Sequence, residues 1–118
     1  MPTPDQNFAH YCCELLGSVG PCTPKRMFGG FGISTDGLTF AIVADLGHGQ
    51  TLWLKASSTT RALFEAEGCA RFIYPVQGVL KSMNYYAAPA EALESPALMQ
   101  PWAHLALEAA LQGRANMK

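Results

Sequence analysis

The stretch from Lys25 to Lys55, KRMFGGFGISTDGLTFAIVADLGHGQTLWLK, constrains the fold more than any other part of the chain. It contains a glycine-laced approach, two turn signals and the longest run of strand-forming residues. Asp36-Gly37 marks a two-residue hairpin, because both central positions of a type I′ turn need positive φ. After it Leu38, Phe40, Ile42 and Ala44 alternate with Thr39, Ala41 and Val43. Both faces are largely apolar, which suits a central strand better than an edge. Gly47-His48-Gly49 reads as a longer turn, and Leu52 and Leu54 then alternate with Thr51, Trp53 and Lys55. A three-stranded antiparallel meander follows. Glycines 29, 30 and 32 open a strand rather than a helix, so a phosphate-cradling loop does not fit them. A bulged strand, or one crossed closely by a helix, accounts for them better.

Upstream, Thr3 reads as a helix N-cap, with Pro4 at the first helical position and Gln6 completing a capping box. Phe8, Cys12, Leu15, Leu16 and Val19 form one apolar stripe, which predicts a helix over about residues 4–17. Downstream, Ser57 or Ser58 caps a short helix that carries Ala62, Leu63 and Ala66 and stops at Gly68. Phe72-Ile73-Tyr74 reads as a strand bounded by Pro75, and 80–86 as another. The second places Lys81, Met83 and Tyr85 on one face. A single turn at Glu91 to Glu94 precedes a last helix started by Ser95-Pro96. Leu98, Trp102, Leu105, Ala106 and Ala109 form its stripe. Pro101 interrupts that helix, so a restart near Trp102 is expected, and the tail beyond Gly113 should fray.

These pieces predict an α+β fold. A mostly antiparallel five-stranded sheet, the β-meander plus two further strands, is backed by helices in the order α-β-β-β-α-β-β-α. With 118 residues the chain fits one domain with its core over about 4–112. Apolar types make up 49% and charged types 14%, which leaves apolar surface for a partner. No apolar stretch approaches a membrane span. The N-terminus lacks the basic and apolar regions of a secretory signal, so a cytoplasmic protein is expected.

No residue set announces chemistry. The four cysteines, 12, 13, 22 and 69, include no CxxC knuckle and suit buried free thiols. His10, His48 and His104 have no ligand-spaced company, and the carboxylates are scattered. No catalytic residue, metal or cofactor is therefore expected. Charge is less even: the net charge is -1, yet residues 25–81 hold six of the 8 basic residues and four of the 9 acidic ones. Lys25, Arg26, Arg71 and Lys81, with Trp53 and Tyr85, are accordingly the candidate interaction or nucleic-acid face.

The series Lys25-Arg26-Met27-Phe28-Gly29-Gly30, Gly32, Asp36-Gly37, Phe40-Ala41, Leu52 to Lys55, Phe64, Gly68, Phe72, Tyr74, Met83 to Tyr86, Pro89, Leu98 and Trp102-Ala103 resembles the N-terminal domain of the TfoX/Sxy family. The resemblance runs from about Phe8 to Ala110. It implies an α+β domain without established enzymatic activity, tied to induction of competence genes alongside a cyclic-AMP-dependent transcription regulator. Full-length competence regulators of this family carry a second, C-terminal domain that this chain lacks, so a stand-alone module is expected. The family pattern often has Ser before Tyr in the late strand, where Asn84 stands here. A non-enzymatic regulatory or protein-interaction module follows, with a protein partner and a candidate homodimer. The alternatives are direct DNA binding through the basic face, and a ligand or enzyme site beside the glycine-rich strand.

Overall fold

The computed structural model describes residues 4–27, 29–47 and 49–115. The chain runs through α1 (Pro4–Leu15), β1 (Thr23–Met27), β2 (Gly30–Thr35), β3 (Leu38–Asp45), β4 (Gln50–Lys55), α2 (Arg61–Ala66), β5 (Arg71–Val76), β6 (Val79–Ala87) and α3 (Pro96–Ala115). Short 3-10 turns at Gly17–Val19 and Ala90–Glu94 link α1 to β1 and β6 to α3. All six strands form one antiparallel sheet in the order β1-β2-β3-β4-β6-β5.

The expected five strands are thus six, and the element order becomes α-β-β-β-β-α-β-β-α. The missed strand is β1. It pairs Lys25 with Gly32 and Met27 with Gly30, so the glycines begin the second strand of the sheet. Thr23-Pro24-Lys25-Arg26-Met27 carries no apolar alternation because it is a mostly exposed edge, the place where a sheet tolerates proline. The Asp36-Gly37 turn forms as expected, with φ of 54° and 77°. The capping role of Thr3 and the turn role of His48 fall outside the described residues.

The close approach at the glycines comes from strands rather than from a helix. A Cβ on Gly30 would drive into the Val43 carbonyl of β3, and one on Gly32 into the thioether of Met27, which lies across it from β1. The bulge sits elsewhere. Pairing steps from Ile33–Ala41 to Ser34–Thr39, which leaves Phe40 as an extra residue in β3. That extra residue resets the side-chain alternation. Leu38, Phe40, Ala41 and Val43 all join the cluster under the helices, while Ile42 and Ala44 belong to the opposite face.

One face of the sheet is covered by α1 and α3. Ala9, Cys12, Leu15 and Leu16 of α1 and its exit pack with Met99, Ala103, Ala106 and Ala110 of α3 over Phe31, Ile33, Phe40, Val43, Leu52, Leu54 and Tyr86. The alanines of α3 let the helix lie close to the strands. Its buried stripe keeps the expected Ala106 and Ala109 but otherwise runs one step on, through Met99, Ala103 and Ala110, and Leu98 stays half exposed. Ser95 caps the helix, its Oγ accepting the Leu98 N–H at 3.2 Å. The helix runs unbroken through Pro101 and past Gly113 to Ala115, so no restart occurs, and the rest of the tail lies outside the described residues. Pro101 falls in the second turn, where its ring faces solvent and one backbone bond is forgone.

The short helix α2 inverts its expected stripe. Ala62, Leu63 and Ala66 are exposed, and Phe64 is the anchor, stacked on Tyr86 at 5.4 Å and tilted against Trp102 at 5.1 Å. Ser57 and Thr60 brace its entry reciprocally. Thr60 Oγ1 accepts the Ser57 N–H at 2.8 Å and Ser57 Oγ accepts the Thr60 N–H at 3.3 Å. The Tyr86 hydroxyl donates to Glu65 at 2.6 Å and accepts from Arg61 Nε at 3.4 Å, tying α2 to β6.

Candidate interaction face and pocket

The opposite face of the sheet carries a second apolar cluster. Ile42, Trp53, Phe72 and Tyr85 are buried there, with Ala44, Leu46, Tyr74, Met83 and Ala87 half-buried around them. None of these residues comes from a helix. The cluster is roofed instead by the sheet's own β5–β6 end.

A register change makes that possible. Arg71 pairs with Tyr86 but Ile73 pairs with Ser82, so β6 holds two residues more than β5 across this interval. The excess bends the hairpin, and Arg71 fastens the bend. Its Nε donates to the Met83 carbonyl at 3.1 Å and its terminal nitrogen to Asn84 Oδ1 at 2.7 Å. A guanidinium suits this task because its donors lie in one rigid plane. Phe72 is then held edge-on against Trp53 at 5.0 Å, Tyr74 at 5.8 Å and Tyr85 at 6.5 Å.

Between the bent hairpin and the start of the sheet lies a concavity of about 350 Å³. Met27, Gly29, Ile42, Ala44, Asp45, Leu46, Phe72, Tyr74 and Met83 line it. It adjoins the glycine-rich strand, where a ligand site would require a concave surface. Asp45 closes one end; its Oδ1 accepts the Gly47 and Gly49 N–H groups at 2.8 and 3.0 Å, shaping the β3–β4 turn. Beyond the cavity the hairpin tip turns at Gln77-Gly78, with φ of 51° and 81°. Around that tip Ile73, Val79 and Leu80 stand exposed at 47%, 58% and 74%.

The six candidate residues read from sequence do not form one patch. Lys25 and Arg26 lie on edge strand β1, and Arg26 stands 5.1 Å over the Phe31 ring. Arg71 lies on the opposite edge strand, β5, where it pairs with Tyr86, and Lys81 lies further along β6 opposite Tyr74. Trp53 and Tyr85 are buried in the second cluster, which leaves little of either ring for stacking on a partner. The indole N–H of Trp53 donates to the Ala44 carbonyl at 3.3 Å, and burial pushes the Tyr85 phenol up from its ordinary value. Lys55, passed over in the sequence, stands 5.4 Å above the Tyr85 ring. Phe72, Tyr74, Ile42 and Met27 were also missed. The shared parity of Phe72 with Tyr74, and of Met83 with Tyr85, was the available signal.

The thiols lie away from this face. Burial pushes Cys12 up to about 12 and Cys13 up to about 11, and raises Cys22, whose Sγ donates to the Gly20 and Leu16 carbonyls at 3.4 and 3.6 Å. Such thiols stay protonated and unreactive near neutrality. Among the described residues no three of the His, Cys, Asp and Glu side chains gather as metal donors. Nor is any described helix long and apolar enough to cross a membrane.

A search of curated proteins finds no match to the chain. The TfoX N-terminal domain matches residues 14–110, which take in every strand, α2, most of α3 and the last residues of α1. The chain belongs to the TfoX N-terminal domain family.

Proposed function

We propose that this chain is a non-enzymatic protein-interaction module that serves transcriptional regulation of competence, and that it meets its partner through the β5–β6 hairpin. The observation that carries this reading is the hairpin's exposed apolar set, Ile73, Val79 and Leu80, projecting from an edge that no helix covers. An apolar tip with Lys81 beside it has the composition of a contact surface: an apolar centre with a charged margin. Family membership supports a regulatory setting. The partner is a transcription regulator of the cyclic-AMP-dependent kind; a second copy of the chain, meeting its neighbour about a two-fold axis, is the simpler arrangement to test beside it.

The geometry favours this over a nucleic-acid face. Lys25 and Arg26 are separated from Arg71 by the breadth of the sheet, and Arg71 is occupied within β6. Capture of the regulator by tagged wild-type chain and by Leu80→Asp decides the matter. The wild type should retain the regulator and the variant should lose at least about 90% of it, an affinity loss of tenfold or more. Both should show the same circular dichroism. Equal retention by the two, or none by the wild type, overturns the reading. Sedimentation of both chains over a range of concentrations reads out the two-fold pairing.

A further inference from the structure

We infer that the cavity on the helix-free face is a binding site for one uncharged, largely apolar, ring-bearing small molecule. Its volume of about 350 Å³ lies at the small end of the range typical of ligand pockets. Its walls combine small residues, Ala44 and Gly29, with large ones, Met27, Phe72, Tyr74 and Met83. Shape therefore comes from an arrangement of side chains rather than from a gap in packing.

Those walls are pinned. Phe72 is wedged by three rings, Met83 is positioned by the Arg71 bond to its carbonyl, and Met27 lies over Gly32, where a Cβ would displace it. A pre-set pocket binds without the ordering cost that a loose surface incurs. Two methionines and two aromatic residues line the cavity together, which favours a ring-bearing guest, since sulfur and ring edges attract one another. Among the described residues that line the cavity there is no Lys or Arg, and none is His. A carboxylate, sulfonate or phosphate would lose its hydration without a cationic partner among them.

The probe is N-phenyl-1-naphthylamine, an uncharged ring compound whose fluorescence rises in apolar surroundings, titrated into the full chain. Its anionic counterpart, 1-anilinonaphthalene-8-sulfonate, shares the ring skeleton and adds only the sulfonate. The neutral dye should saturate at one per chain, and the sulfonate should bind at least about tenfold more weakly. Ala44→Phe and Met27→Trp each add bulk to the lining, from β3 and β1 respectively. Whichever of these keeps the wild-type circular dichroism and melting profile should lose the neutral dye by about tenfold or more. Leu80→Asp, outside the cavity, should bind it as the wild type does, so failure here and failure of the regulator capture are read separately. Binding that never saturates, equal affinity for both dyes, or unchanged affinity in a folded cavity variant overturns the inference.

Discussion

Arg71 shows how a single side chain can set the shape of a surface. Two surplus residues in β6 leave the Met83 carbonyl without its ladder partner, and the guanidinium supplies one while also gripping Asn84. Removing it strands a partly buried acceptor, which costs about 1–3 kcal/mol. Arg71→Ala should therefore lower unfolding free energy by that amount in urea titrations and weaken binding in the adjoining cavity. The basic patch inferred from sequence counted Arg71 as a free charge, because nothing in a linear string reveals a carbonyl orphaned by a change of register. Cys12 gives a second prediction at this scale. Its thiol is held near 12 in the fold against an ordinary 9.0. The folded chain thus keeps a proton that the unfolded chain releases, and stability is complete below about pH 9 and falls as pH rises towards 12. The slope from this thiol approaches ~1.4 kcal/mol per pH unit. Cys12→Ala should flatten the alkaline decline in melting temperature, with Cys13 contributing a smaller share in the same direction.

At the scale of elements, legibility followed burial. The meander β2-β3-β4, the β5–β6 hairpin and all three helices could be read because each has an apolar side and a turn or cap to end it. Edge strand β1 could not, since a strand with one neighbour and solvent on most sides carries no alternating pattern. Phe40 is subtler. Its strand was recognised, yet a one-residue bulge inverts the facing of everything after it, and no local rule predicts where such a bulge falls. The sequence assigns Trp53 and Tyr85 to an interaction face, whereas the fold buries both rings in the second cluster, and that burial depends on a hairpin made of other residues. Pro101 was over-weighted. An interior proline costs a helix about 3 kcal/mol in isolation, but α3 gains enough from Met99, Ala103, Ala106 and Ala110 against the sheet to continue through it. Pro101→Ala restores a backbone donor at an exposed position and forfeits the stiffening of the unfolded chain, which is worth ~0.4–1 kcal/mol. A net gain of about 1 kcal/mol or more is expected in thermal or urea unfolding.

Across the whole molecule, two apolar clusters share one set of strands. Val43 and Leu54 look towards the helices while their neighbours Ile42 and Trp53 look away, so neither cluster can be lost without dismantling the other. Unfolding should be a single transition. The two tryptophans test this directly, since Trp53 reports the open face and Trp102 the helix-covered one. Melting curves of Trp102→Phe and Trp53→Phe, each followed by its remaining indole and by circular dichroism, should coincide within each variant. An indole signal that departs from the circular dichroism curve would show that the faces come apart separately.

The outermost strands carry a further meaning. Each contains a proline and at least one arginine, Pro24 with Arg26 on β1 and Pro75 with Arg71 on β5. Proline withholds an amide from any incoming strand, and like charges discourage two such margins from aligning. A sheet finished in this way has a fixed width and does not seed fibres from its sides. Copies strung together on one polypeptide, or crowded onto a common scaffold, should keep their separate identities while still presenting their faces to whatever they recognise.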